Sequence, residues 1–112
     1  MGRKTNKVEV RMISATAYIF AVRNGQRPLR VLESEAEGRN LHELASNMQR
    51  SLEVLGLTVR CAVTEESRRT RAQIAFKVPL KQWSVPGMKE QVEGALRSYR
   101  PYRDPGFGSI EI

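Results

Sequence analysis

The sequence has one cysteine, one histidine and one tryptophan in 112 residues, and this scarcity excludes several kinds of site. The single cysteine, Cys61, cannot form an intramolecular disulfide and supplies too few ligands for a cysteine-based zinc site. The single histidine, His42, falls in the first turn of a predicted helix, where the helix dipole disfavours a charged imidazole. We therefore predict a protein that is not an enzyme, binds no cofactor or metal, and resides in a reducing, cytoplasmic compartment.

Long apolar runs are also scarce. The stretch 13–22 (ISATAYIFAV) follows a basic segment, but it lacks a convincing signal-peptide cleavage site and is too short to span a bilayer. We predict no membrane insertion.

Acidic residues are outnumbered, since 19 Lys and Arg against 12 Asp and Glu give a net charge of +7. A hydrophobic fraction of 40% is ordinary for a folded domain. Such an imbalance favours a polyanionic partner, with nucleic acid as the first candidate and an acidic protein or anionic surface as alternatives.

The chain is long enough for one core, so we expect a flexible basic arm over residues 1–6 and a single domain over 7–112. Period-two alternation predicts a strand at 7–12, and β-rich runs predict strands at 16–23 and 28–33, the former covered on both sides or central. The acidic segment 33–38 has no apolar periodicity and is predicted to be a loop.

The clearest predicted element is a helix over 41–55, because its apolar residues recur three and four positions apart. Asn40 is placed to cap its first turn, with Glu43 reaching back in a capping box. Gly56 is placed to end it in a left-handed conformation.

The second half predicts strands at 57–64 and 71–78, then a helix opened by Ser84 and Pro86, and an edge strand near 108–112. The complete order is βββα-ββα-β. We predict an α+β, two-layer sandwich with a mainly antiparallel sheet and two amphipathic helices on one face.

Carboxylates at Glu33, Glu35 and Glu37 could gather on one side of an extended segment to hold Mg²⁺, as in a nuclease. No second acidic pair stands at another strand end, so we favour a solvated acidic loop.

Basic residues fall on the polar sides of the predicted strands and predict a cationic sheet face that binds phosphates. The candidates on the strands, their turn and the arm are Arg3, Lys4, Lys7, Arg11, Arg60, Arg68, Arg69, Arg71 and Lys77.

A second basic group, 97–103 (RSYRPYR), alternates arginine and tyrosine at a helix end, a composition that suits phosphate contacts and base stacking. Its candidates are Arg97, Arg100, Tyr102 and Arg103, whereas Tyr99 lies on the apolar stripe and is predicted to pack in the core. In strand 71–78, Gln73 and Ala75 occupy positions where the RNA-recognition motif carries stacking aromatic residues, so the strand does not match that motif.

The leading hypothesis is a non-enzymatic nucleic-acid-binding protein that uses the sheet face, the arm and the helix end. The alternative is a protein-interaction or assembly subunit, as in viral or mobile-element accessory proteins, that forms homo-oligomers or binds an acidic partner. A third is a small ribonuclease that works without histidine, through Arg100 or Tyr102.

Overall fold

The computed structural model describes residues 12–68 and 71–101, which form one mixed sheet and three helices. The strands are β1 (Ile13–Val22), β2 (Leu29–Gly38), β3 (Arg60–Thr64) and β4 (Ala72–Pro79), and the helices are α1 (Leu41–Glu53), α2 (Leu80–Trp83) and α3 (Met88–Arg97). The sheet order is β2-β1-β4-β3, with the central pair β1 and β4 parallel and the outer pairs antiparallel. The predicted α+β, two-layer class is confirmed.

Alternate residues of the strands form the floor of the core. On β1 these are small or branched, such as Ala17 and Ile19, whereas β4 contributes Ile74 and Phe76, all of them almost fully buried. Helices α1 and α3 pack on the same face of the sheet, since Met48 and Leu96 belong to the same buried cluster as these strand residues. The small β1 side chains leave room for the bulky ones of β4 and the helices.

The ends of α1 follow the predicted signals. The Asn40 side-chain oxygen accepts a hydrogen bond of 2.9 Å from the backbone N–H of Glu43, which satisfies one free donor of the first turn. Gly56 has a φ of +99°, and the helix ends at Glu53, two residues before the predicted end.

The acidic segment 33–38 is not a loop, because β2 continues through it to Gly38. Here the glutamates alternate with Ser34 and Ala36, which are buried, so the segment has a strand's two faces despite its charge. Small residues on the inner face explain why the apolar pattern was too weak to indicate a strand.

The second amphipathic helix begins at Met88 and is preceded by Gly87, and not by Ser84, which was predicted as its cap. Residues 80–83 form the short helix α2. A turn follows, in which Gly87 adopts a φ of +84°. Pro86 therefore lies in a turn and not inside the first helical turn. The predicted strands at 7–12 and 108–112, and the arm 1–6, lie outside the described residues, apart from Met12, which precedes β1.

Candidate nucleic-acid interface

The sheet face opposite the helices, here called the open face, is uncovered by any helix among the described residues. Strand registry arranges its side chains in rows that run across the sheet. One row joins residues 30, 20, 77 and 60 across all four strands, and the next joins residues 33, 18, 75 and 62.

The first of these rows concentrates positive charge. Arg30 on β2 pairs with Phe20, Phe20 with Lys77 on β4, and Lys77 with Arg60 on β3. The three cations, here called the basic row, are exposed at one end of the open face. The side-chain contact between His42 and Glu65, 3.1 Å long, involves none of them. Like charges directly opposite each other on neighbouring strands destabilise a sheet, so this arrangement stands at a cost in folding free energy.

Two aromatic rings lie beside the basic row. Tyr18 and Phe20 are half-buried, with ring centroids 6.2 Å apart and planes tilted by 40°. The guanidinium carbon of Arg30 lies 5.3 Å from the centroid of the Tyr18 ring, in a cation–π contact. These three residues, with Gln73 and Ala75, line a shallow pocket of about 260 Å³, here called the aromatic pocket.

Sequence reasoning did not identify the aromatic pocket. The apolar run of β1 was interpreted as a strand covered on both sides or near the sheet centre. The strand is central, but its outer face carries Tyr18 and Phe20 while the small residues Ala17 and Ala21 face the helices. The signal in the sequence that could have revealed this outer face is the alternation of small and aromatic residues along β1.

Negative charge occupies the β2 side of the same face. Glu33, Glu35 and Glu37, here called the acidic stripe, pair with Tyr18, Thr16 and Ser14 of β1 respectively. The open face is thus cationic in one row and acidic along β2, and not uniformly cationic as expected. The difference arises because the acidic segment is a strand of this sheet.

The acidic stripe was considered above as a possible magnesium site. Among residues 12–68 and 71–101, no group of three or more His, Cys, Asp or Glu side chains is arranged to hold a metal ion.

The structure brings only some of the sequence-predicted site residues together. Arg60 and Lys77 lie side by side in the basic row, Arg71 is exposed just before β4, and Arg68 is exposed in the β3–β4 connection. The candidates outside the described residues are Arg3, Lys4, Lys7, Arg11, Arg69, Tyr102 and Arg103.

The basic helix end is separated from the basic row. Arg97 ends α3, and Arg100 lines a groove of about 490 Å³ with Glu33 and Glu35 along β2. Because β2 is at one edge of the sheet and β3 at the other, Arg100 lies across the sheet from Arg60. The two predicted basic groups do not form one continuous surface through the described residues.

Tyr99 packs in the core region as predicted. Its hydroxyl donates a hydrogen bond of 3.1 Å to the backbone carbonyl of Asn47 and lies 2.7 Å from the Ser51 hydroxyl oxygen, so it ties the end of α3 to α1. Its own carbonyl accepts a hydrogen bond of 2.9 Å from the backbone N–H of Glu37.

The histidine and the cysteine lie away from the aromatic pocket. Nε2 of His42 is 3.1 Å from Oε2 of Glu65, an exposed contact between α1 and the residue after β3. Cys61 packs against the core from β3, and burial raises the pKa of its thiol, which disfavours the reactive thiolate.

None of the described helices has the length and apolar character needed to cross a membrane. Comparisons with protein-family models, with curated proteins and with solved structures found no match to this chain.

Proposed function

We propose that this chain is a non-enzymatic nucleic-acid-binding protein that holds the phosphate backbone on the open face of its sheet. The observation that supports this function is the basic row, where strand registry places Arg30, Lys77 and Arg60 in line beside the ring of Phe20.

Lys77 and Arg60 face each other directly, so their repulsion opposes sheet formation in the free protein. A phosphate bound between them removes that repulsion and releases the counterions that were condensed on the nucleic acid. Strands about 4.8 Å apart place the ends of the row about 14 Å apart, enough for consecutive phosphates of one strand.

The experiment is a binding titration followed by fluorescence anisotropy, with labelled single- and double-stranded oligonucleotides at several salt concentrations. We expect the affinity to fall steeply as salt rises. Lys77→Gln should reduce the steepness of the plot of log K against log salt by about one unit of slope. Lys89→Gln, which removes the same charge from an exposed position on α3, is the matched control and should leave the slope nearly unchanged. Dissociation constants weaker than about 100 μM for every ligand at low salt would overturn the proposal.

The alternative, an assembly subunit, is favoured by the charge pattern of the same face. The acidic stripe lies on edge strand β2, next to Arg30, and Arg60 lies on edge strand β3, so two copies could associate with the acidic stripe of one against Arg60 of the other. Light scattering after size-exclusion chromatography tests this association, and a monomer at all concentrations would eliminate the edge-to-edge version of the alternative. Under either function we place the protein in the cytoplasm, where its single thiol would stay reduced.

A further inference from the structure

We propose that the aromatic pocket receives one unpaired nucleobase, so that the preferred ligand is a single strand and not a duplex. This inference rests on the proposed function, because it assigns the base that accompanies the phosphates of the basic row. A duplex keeps its base faces stacked and cannot offer one to a ring.

The walls of the pocket supply both kinds of contact that an unpaired base requires. The rings of Tyr18 and Phe20 provide apolar faces on which any base can stack. Gln73, on the neighbouring strand β4, supplies an amide that both donates and accepts hydrogen bonds. Lys77 follows Gln73 and Ala75 on the same face of β4, so a base in the pocket has a phosphate contact adjacent to it.

Arg30 covers the Tyr18 ring in the free protein and must be displaced. At 5.3 Å from the guanidinium carbon to the ring centroid, no base fits between the two groups. An exposed cation–π contact is weaker than the stacking of a base on an aromatic side chain, so the base displaces the guanidinium group and stacks on the Tyr18 ring. The released guanidinium then stacks on the outer face of the base or contacts its phosphate, as arginine does in single-strand sites.

The acidic stripe adds selection against duplexes. Glu33 is the direct cross-strand neighbour of Tyr18, on the side away from Lys77. A single strand whose base enters the pocket can keep its phosphates over the basic row. The second strand of a duplex would bring phosphates over β2, where the carboxylate of Glu33 repels them and Arg100, in the same groove, offsets only part of that repulsion.

The test compares one labelled 12-nucleotide single strand, its duplex, and the same single strand with abasic sites at every position. Each is titrated with the wild-type chain and with Tyr18→Leu, Tyr18→Phe and Lys77→Gln, all checked by thermal melting. The Phe variant keeps the ring, whereas the Leu variant keeps only apolar bulk.

We expect the wild type to bind the single strand at least tenfold more tightly than the duplex or the abasic strand. Tyr18→Leu should lose about tenfold for the single strand with an unchanged salt slope, and should no longer distinguish it from the abasic strand. Tyr18→Phe should bind as the wild type does.

The failures of the two proposals differ. Salt-dependent binding with equal affinity for single strand, duplex and abasic strand overturns the nucleobase pocket and leaves the phosphate site standing. Absence of binding to every ligand overturns both. Because the abasic ligand changes no residue of the protein, the comparison holds even where a Tyr18 variant fails to fold.

Discussion

Reversing the charge of Lys77 should stabilise the folded chain while weakening nucleic-acid binding. Lys77 and Arg60 are direct cross-strand partners, and both side chains are exposed. Lys77→Glu replaces repulsion between the two side chains by attraction. A site kept for binding and not for stability should respond with opposite signs in the two measurements.

The magnitude follows from the registry. Directly opposed side chains have Cβ atoms about 5 Å apart, and a favourable charged pair contributes about 0.2–1 kcal/mol. Removing the repulsion and adding the attraction together should stabilise the fold by about 1 kcal/mol, which for a domain of this length raises Tm by about 4 °C. Loss of one phosphate contact changes the slope of log K against log salt by about 0.7 for a single strand. When salt falls from 1 M to 50 mM, the affinity of the wild type should therefore rise about eightfold more than that of the variant.

Thermal unfolding followed by circular dichroism in 50 mM and 1 M salt measures the first effect. The increase in Tm of Lys77→Glu over the wild type should be smaller in 1 M salt, where the Debye length is only about 3 Å. Arg60→Glu should behave like Lys77→Glu, and the double variant should return towards the wild-type Tm because it restores a like-charge pair. A Tm that falls in Lys77→Glu, or a double variant more stable than either single one, would refute the reasoning.

Three further outcomes follow from the described contacts. Tyr99→Phe, which loses the hydrogen bonds to Asn47 and Ser51, should lower the free energy of unfolding by about 1 kcal/mol in urea titrations and leave oligonucleotide affinity unchanged. Asn40→Ala should cost about 1 kcal/mol by the same assay because it removes the α1 cap, and Asn40→Ser should recover most of it. The raised pKa of Cys61 means that the folded state binds its proton more tightly than the unfolded chain, so the thiol's contribution to stability is complete below about pH 9 and is lost as the pH rises through the folded pKa. Stability measured from pH 8 to 10.5 should therefore fall less in Cys61→Ala than in the wild type.

The sequence predicted best the elements whose signals are local. Helix α1 was placed to within two residues at its end because a cap at Asn40 and a left-handed glycine at Gly56 both depend on neighbouring backbone. The strands at 60–64 and 72–79 were found because their alternation is strong. Tyr99 was assigned to the core because it continues the apolar stripe of α3.

The sequence did not predict the features that depend on which strands are neighbours. The acidic stripe was taken for a loop because Ser34 and Ala36 are too small to mark a buried face. Two of the three residues of the basic row, Arg60 and Lys77, were predicted. Arg30 was not, because it joins the row only through the pairing of β2 with Phe20. Local patterns do not reveal that β1 and β4 are parallel partners.

That parallel pairing has a consequence for how the chain acquires its structure. Ala15 pairs with Ala72, so the two central strands are separated by residues 23–71 and close a loop of about half the chain. The N-terminal hairpin and α1 are local in sequence, but the buried cluster to which they contribute also contains Ile74 and Phe76 of β4. We therefore expect folding in milliseconds or slower, as for topologies dominated by distant contacts, and completion on the ribosome only after β4 has left the exit tunnel.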